Sequence, residues 1–286
     1  MLRLENDNLR VDINPLGAEL IRIYNKLFRL EYLWQAGKEW SKSSPVLFPV
    51  VGQLKDNIYT YNGNEYTLPR HGFAREKLFN LIEEGTGKLV FRLKDDEDTR
   101  KNYPFQFHFD ISYTLKGNEL NVEYNVFNTG KDTMYFSVGA HPAFRVPLDL
   151  RDHYDDYYIE FSDEEDSSLW PLKEGLISDV PASFFTSKRI PLSKALFESD
   201  ALVFKNIRSE CIHLRSNQHD HGLSVKVNQC PFLGLWAAKG ANFLCIEPWQ
   251  GIADSVHSTG KIEEKEGIIP LKAGENFSYV WSVRVM

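Results

Sequence analysis

Apolar residues recur at every second position through much of the chain. In FQFHFDISYTLKGNELNVEYNVF, Phe107, Phe109, Ile111, Tyr113 and Leu115 alternate with mostly polar residues. After Lys116-Gly117-Asn118-Glu119 the alternation resumes at Leu120, Val122, Tyr124 and Val126. A period of two puts these side chains on one face of a strand, so the segment predicts an antiparallel hairpin with one buried face. YTYNGNEYTL repeats the pattern around Asn62-Gly63, a pair that tolerates positive φ. Phe277, Tyr279, Trp281, Val283 and Val285 share a face near the C-terminus, and Leu2, Leu4, Leu9, Val11 and Ile13 do so near the start. Helical signals are short by comparison: PLSKALFES (191–199) suffices for a turn or two, and no segment carries a sustained helical stripe. Many short strands between Gly/Asn turns predict an all-β fold, a sandwich or a barrel. No internal repeat and no Pro/Gly/Ser-rich linker divides the chain, so a single domain over 1–286 is expected.

Composition narrows the function classes. Apolar residues make up 42% of the 286 positions and aromatics 13%, enough for a substantial core. A net charge of −7 argues against nucleic acid as a partner, because no basic face would repay the phosphate backbone. Cys211, Cys230 and Cys245 are few and widely spaced, which predicts free thiols and a reducing compartment. MLRLENDNLRVDI builds no apolar signal region, and no window is apolar for long enough to span a membrane. The expectation is a cytoplasmic protein with no membrane partner. The acidic runs KDDEDTR (94–100) and SDEEDSS (162–168) read as solvated loops; neither has the spacing and closing glutamate of a calcium loop.

Four segments depart from plain strands: PVLFPVVGQLKDN (45–57), LPRHGFARE (68–76), FSVGAHPAF (136–144) and FLCIEPWQGIADS (243–255). Phe243 to Ile246 reads as a strand buried on both faces, and it delivers Glu247 directly before Pro248-Trp249. A carboxylate there is partly desolvated, which raises its pKa and suits a general base. The plainer alternative is an ion pair that closes the sheet end. Trp249 offers a flat ring on which a sugar's C–H face can stack. His141 stands after Gly139-Ala140 and before Pro142, small and restricting residues that orient the imidazole; its plainer reading is a buried histidine bonded to backbone. His71, between Arg70 and Gly72, has the same look.

Two histidines and one glutamate at strand ends suit the opening of a cyclic hemiacetal. One group takes the anomeric proton while another protonates the ring oxygen, and no metal or cofactor is required. A metal reading rests on His219-Asp220-His221, but no acid follows in the next few residues to complete a cupin-like set. No Gly-x-Ser-x-Gly elbow and no Gly-rich phosphate cradle is present, and Cys245 reads as core packing.

At these segments the chain resembles the aldose 1-epimerase (galactose mutarotase-like) superfamily, most closely its LacX-type branch. The resemblance is carried by FPVVGQLKDNIYTYNGNEYTLPRHGFAR, SVGAHPAF and CIEPWQGIADS, followed by EKEGIIPLKAGE. It implies a large antiparallel β-sandwich of the supersandwich type with an open sugar cleft. It implies His141 as the acid towards the ring oxygen and Glu247 as the base at the anomeric hydroxyl. His71 would bind sugar or handle a proton, and Asp200, in ESDALVF, falls where family members carry a sugar-binding aspartate. Gln53 stands where members often carry arginine, a charge that Arg75 or Lys55 would take over. The implied activity is cofactor-independent interconversion of α and β anomers of a hexose. Arg70, Arg75 and Lys55, close to His71 in sequence, keep a hexose 6-phosphate open as the substrate, and a non-catalytic carbohydrate-binding or sensing protein is a third reading. A small-molecule sugar is the expected partner, and a homodimer is compatible with the resemblance.

Overall fold

The computed structural model of the chain describes residues 1–165, 168–183, 187–227 and 229–286. The alternation written into 107–126 becomes the centre of a nine-stranded antiparallel sheet. Strand Phe107–Lys116 pairs with Glu119–Asn128, which pairs with Asn276–Val285. Beyond them lie Lys88–Lys94 and Asn80–Gly85 on one side, and Leu223–Lys226, Cys211–Ser216, Tyr157–Glu165 and Ser187–Pro191 on the other. The strand Glu119–Asn128 keeps the predicted pattern, its even-numbered residues buried and its odd-numbered ones half-buried. Phe107–Lys116 is more deeply covered: Asp110 is also buried, and both its oxygens accept from Arg92 at 2.6 Å.

The predicted Asn62-Gly63 hairpin forms between Ile58–Tyr61 and Asn64–Thr67, with φ of 48° and 76° at its two central residues. Helix is scarce among the described residues. The segment expected to turn at 191–199 holds a single 3₁₀ turn, Lys194–Phe197. The first acidic run is not a plain loop. Asp96 caps a short helix, Glu97–Asn102, by accepting from Thr99 N, and Thr99 Oγ1 accepts in return from Asp96 N. In the second run, Glu165 is buried and accepts from the backbone N–H groups of Arg208 and Ser209, while residues 166 and 167 lie outside the described residues. No helix among the described residues is long and apolar enough to cross a membrane, and all three cysteines are unpaired.

A six-stranded sheet carries the chemistry-bearing segments. Its order is Leu202–Lys205, Phe232–Trp236, Phe243–Gln250, Val138–Ala140 and Val46–Leu47, with Ala143–Arg145 also pairing onto Phe243–Gln250. One main hydrophobic cluster joins the two sheets: Phe109, Val122 and Trp281 of the first share it with Phe144, Leu244 and Ile246 of the second. A second, smaller cluster of Leu47, Val51, Val203, Phe232, Trp249 and Ile252 includes residues from the same six-stranded sheet. Seven of the eight residues of Phe243–Gln250 are buried; the strand runs past the apolar stretch 243–246 expected from the sequence, so Glu247 lies within it and not at its end.

Candidate active site

The site is built from strand register. Phe243–Gln250 is flanked on one edge by two short strands, Val138–Ala140 and Ala143–Arg145. Gly139 pairs with Trp249 and Ala143 pairs with Cys245, so the register is unbroken across the gap and His141 falls opposite Glu247. On the other edge Gly234 is opposite Glu247 and Trp236 opposite Cys245. Residues opposed in an antiparallel pair share a face. The sequence therefore gathers Cys245, Glu247, Trp249, His141 and Trp236 on one side of the sheet.

Two glycines make room there. A Cβ on Gly139 would stand 2.7 Å from Trp249 Cδ1, and one on Gly234 would stand 2.5 Å from the far edge of the same ring. The bare position before His141 thus serves the neighbouring indole. Trp249 is 5% exposed. His141 is enclosed by aromatic rings: Trp40 stacks on it at 5.0 Å between centroids, Trp236 meets it edge-on at 5.6 Å, and His71 stands perpendicular to it at 5.6 Å.

His71 arrives on a loop laid along Phe48. His71 N donates to Gly52 O at 2.8 Å, and Gly52 N donates to His71 Nδ1 at 3.1 Å. A ring nitrogen that accepts leaves the proton on the other, so neutral His71 presents Nε2–H as a donor. The turn needs left-handed backbone at His71 (φ 68°) and Gly72 (φ 70°), and any side chain on Gly72 would run into the Phe48 carbonyl.

These residues surround a cavity of about 600 Å³. Of the residues expected at the site, His71, Arg75, His141, Asp200, Glu247 and Trp249 all line it. Gln53 lies at its edge, its side-chain oxygen against Gly175, a lining residue. Of the two cations proposed to replace the arginine missing at Gln53, Arg75 lines the cavity and Lys55 does not. Lys55 N is instead tied to Asp254 Oδ2 at 3.0 Å. Asp200 is held at φ 107°, a strained conformation for a residue with a side chain. Arg70, expected only under the phosphate reading, also lines the cavity, as do Trp40, Trp236 and Lys239, which the sequence did not single out. Trp236 could have been found only by pairing its strand with 243–250. Trp40 lies in an irregular loop with no periodic signal.

The electrostatics follow from burial. His141 Nε2 is 3.3 Å from Glu247 Oε2, with side chains 9% and 2% exposed. Burial pushes the His141 pKa down to about 3; its own backbone carbonyl opposes the change and Arg75 reinforces it. Burial pushes the Glu247 carboxyl well above its usual range, the Asp200 carboxylate adds to this, and the Trp249 indole opposes it. That indole N–H completes no hydrogen bond. His71 is also held neutral, by burial first and then by His141, Arg75 and Arg70. Glu247 Oε2 and His141 Nδ1 are buried with no hydrogen-bond partner. Such orphaned atoms are costly in a finished core and mark a place where a ligand completes the bonding.

Beneath the site lies a second buried pair. Lys265 Nζ donates to Ile252 O at 2.6 Å and to Asp254 Oδ1 at 2.9 Å. Asp254 N donates to Gln53 O at 2.8 Å. This clamp holds 252–254 against 53–55, next to Gly52 and hence His71.

Comparison with known proteins gives the family and the fold. The family model described as aldose 1-epimerase matches residues 1–284. The plasmid-encoded protein LacX of Lactococcus lactis subsp. lactis is 34% identical over 277 residues, covering 92% of each chain. A galactose mutarotase related enzyme from Lactobacillus acidophilus superposes with a TM-score of 0.95 at 36% identity, covering 100% of this chain and 97% of its own. A galactose mutarotase-like protein from Lactobacillus casei superposes at 0.90 with 28% identity, covering 100% of both.

Proposed function

The chain belongs to the aldose 1-epimerase family, and from that premise we propose that it interconverts the α and β anomers of a hexose, with Glu247 and His141 as the acid–base pair. One observation carries this reading: the 3.3 Å separation of His141 Nε2 and Glu247 Oε2 on a cavity wall. The ring oxygen and the anomeric hydroxyl are bonded to the same carbon. An acid and a base that serve both must be close neighbours, and strand register makes them so.

Without sugar, burial favours the neutral pair, with the proton on Glu247. Moving it to His141 creates a carboxylate base and an imidazolium acid in one step. Glu247 then takes the anomeric O–H proton while His141 protonates the ring oxygen. The ring opens, the C1–C2 bond rotates, and the transfers reverse on closing. His71 Nε2–H donates to a sugar oxygen, Asp200 accepts from a hydroxyl, and the half-buried Trp40 and Trp236 offer apolar surface beside His141. No cofactor takes part in this scheme, and the whole chain acts as one domain.

A polarimetric comparison of wild type with Glu247→Gln tests it. Loss of mutarotation with the fold intact supports the assignment; unchanged rates for every accepted sugar would sink it. Calorimetric binding of sugars by wild type with no anomerisation would favour a binding or sensing protein instead.

A specific feature favours a second reading of the substrate. Arg70, Arg75 and Lys239 all line the cavity. Among the described residues neither Arg70 nor Lys239 forms an ion pair; Arg75 has a 3.9 Å contact with Glu76 and donates from Nη2 to Arg70 O at 2.9 Å. Guanidinium groups with no close carboxylate suit a phosphate or carboxylate on the sugar. Turnover of glucose against glucose 6-phosphate, with Arg75→Ala alongside, separates the two substrates.

A further inference from the structure

Cys245 is buried and used by none of the steps above. It lies two residues before Glu247 on the same face of the same strand, with Ala143 and Trp236 opposite. His141 is opposite Glu247. Sheet geometry therefore draws three ligand atoms of different chemistry together. The sulfur of Cys245, a ring nitrogen of His141 and a carboxylate oxygen of Glu247 all lie within 4.8 Å of one another. It is the one such trio of histidine, cysteine and acid groups among the described residues.

We propose that His141, Cys245 and Glu247 form a binding site for a borderline-soft divalent cation of the zinc class, and that the bound ion switches off the acid–base pair. Zinc takes thiolate, imidazole and carboxylate at about 2.0–2.3 Å in tetrahedral array, which sets ligand atoms roughly 3.3–3.7 Å apart. The His141–Glu247 contact of 3.3 Å already meets that spacing. The sulfur closes the remaining distance, on the order of an ångström, by small rotations of Glu247 and Cys245. His141 and Glu247 line the cavity, so an ion has a route in and a fourth position open to water or a sugar hydroxyl. Glu247 Oε2, orphaned as it stands, gains a partner. The imidazole–thiolate–carboxylate set selects zinc over magnesium or calcium. Binding displaces the thiol and carboxyl protons to solvent, and nothing is oxidised or reduced.

The other imidazole pair offers no equal. His219 and His221 are 5.2 Å apart between ring centroids, but His219 Nε2 is already satisfied by Asp152 at 2.7 Å and by Tyr157 at 3.2 Å.

The inhibitory half of the proposal rests on the anomerase reading, because the ion occupies the atoms that would move the proton. The binding half does not, so the test reads both. Zn²⁺ titrated into the intact protein is followed by calorimetry, Co²⁺ by its thiolate charge-transfer absorption, and mutarotation by polarimetry with and without Zn²⁺. The expected result is one Zn²⁺ per chain, a cobalt–thiolate band and inhibition relieved by a chelator. Cys245→Ala should lose the band and weaken Zn²⁺ binding by roughly 10- to 100-fold or more, the scale seen when even a supporting partner of a metal ligand is removed. It should keep mutarotation and resist Zn²⁺. Binding without the thiolate band, or binding abolished by His219→Ala and untouched by Cys245→Ala, overturns the site. Equal inhibition of wild type and Cys245→Ala overturns the switch. If wild type binds Zn²⁺ with the thiolate band yet shows no mutarotation, the site stands and the anomerase reading falls. Should Cys245→Ala fold poorly, the cobalt band on wild type still decides the binding half.

Discussion

Two buried acid–base pairs lie close together in this molecule, and they are finished differently. Lys265–Asp254 is 2% and 3% exposed, and its polar atoms are spent: the ammonium donates to Asp254 and to Ile252 O, and the second carboxylate oxygen accepts from Lys55 N. His141–Glu247 is buried almost as deeply, yet Glu247 Oε2 and His141 Nδ1 complete no hydrogen bond. A buried ion pair with every lone pair used is a fixed joint. A buried pair left incomplete, and facing a cavity, is poised for a substrate. Burial alone would have called the two alike; completeness of bonding separates them.

The sharpest way to break this contrast is a double dissociation. Glu247→Gln should reduce mutarotation by about 10²–10⁴-fold, the range for loss of a positioned proton-transfer group, without lowering stability. Polarimetry and urea denaturation check the two halves. Lys265→Met should do the reverse in kind. It strands a buried Asp254 and should cost about 3–5 kcal/mol of stability, read as a lower urea midpoint. Activity should fall only as far as His71 loses its support, so a KM rise larger than the kcat loss is expected.

Smaller effects sharpen the picture. Gly234→Ala presses a methyl against the Trp249 ring and should cost about 1–3 kcal/mol by overpacking, with a shift in Trp fluorescence. The pH dependence of stability has a definite sign. The Glu247 pKa is raised from 4.5 on folding, so wild type loses stability as pH rises from there towards the folded value, by about 1.4 kcal/mol per pH unit at most. Glu247→Gln removes that loss, so its advantage over wild type should be absent in acid and grow on the neutral side. His141, lowered from 6.5 to about 3, acts in the opposite window: stability is lost as pH falls below 6.5, in wild type and variant alike. Denaturant midpoints across this range check both. Gly63→Ala, at φ 76° with open space around it, should cost only about 1 kcal/mol of backbone strain and leave mutarotation unchanged.

The hairpin at 107–128, the Asn62-Gly63 turn and the apolar start of the central strand, 243–246, were legible in the sequence, because each is fixed by short-range alternation, an apolar run or turn chemistry; the continuation to Gln250 was not. The acidic run 94–100 was misjudged as a loop: a capping box formed by Asp96 and Thr99 outweighed the charge pattern. His71, His141 and Glu247 were legible as unusual polar residues beside turns and apolar runs, although Glu247 proves to lie within its strand and not at the end expected for it. Arg70 was legible as a cation near His71, under the phosphate reading alone. Trp40 was not legible at all, since its place against His141 comes from a loop that obeys no period.

What the linear chain settled by itself was the material of the sheets and the identity of the reactive side chains, because pleat and turn depend on residues a few positions apart. What the folded structure decided was pairing. That His141 faces Glu247, that Gly234 and Gly139 leave space for Trp249, and that Cys245 comes within reach of both reactive groups are consequences of inter-strand register. Between strands far apart in the chain, register is set by how their buried faces close onto the core, and no connecting turn fixes it.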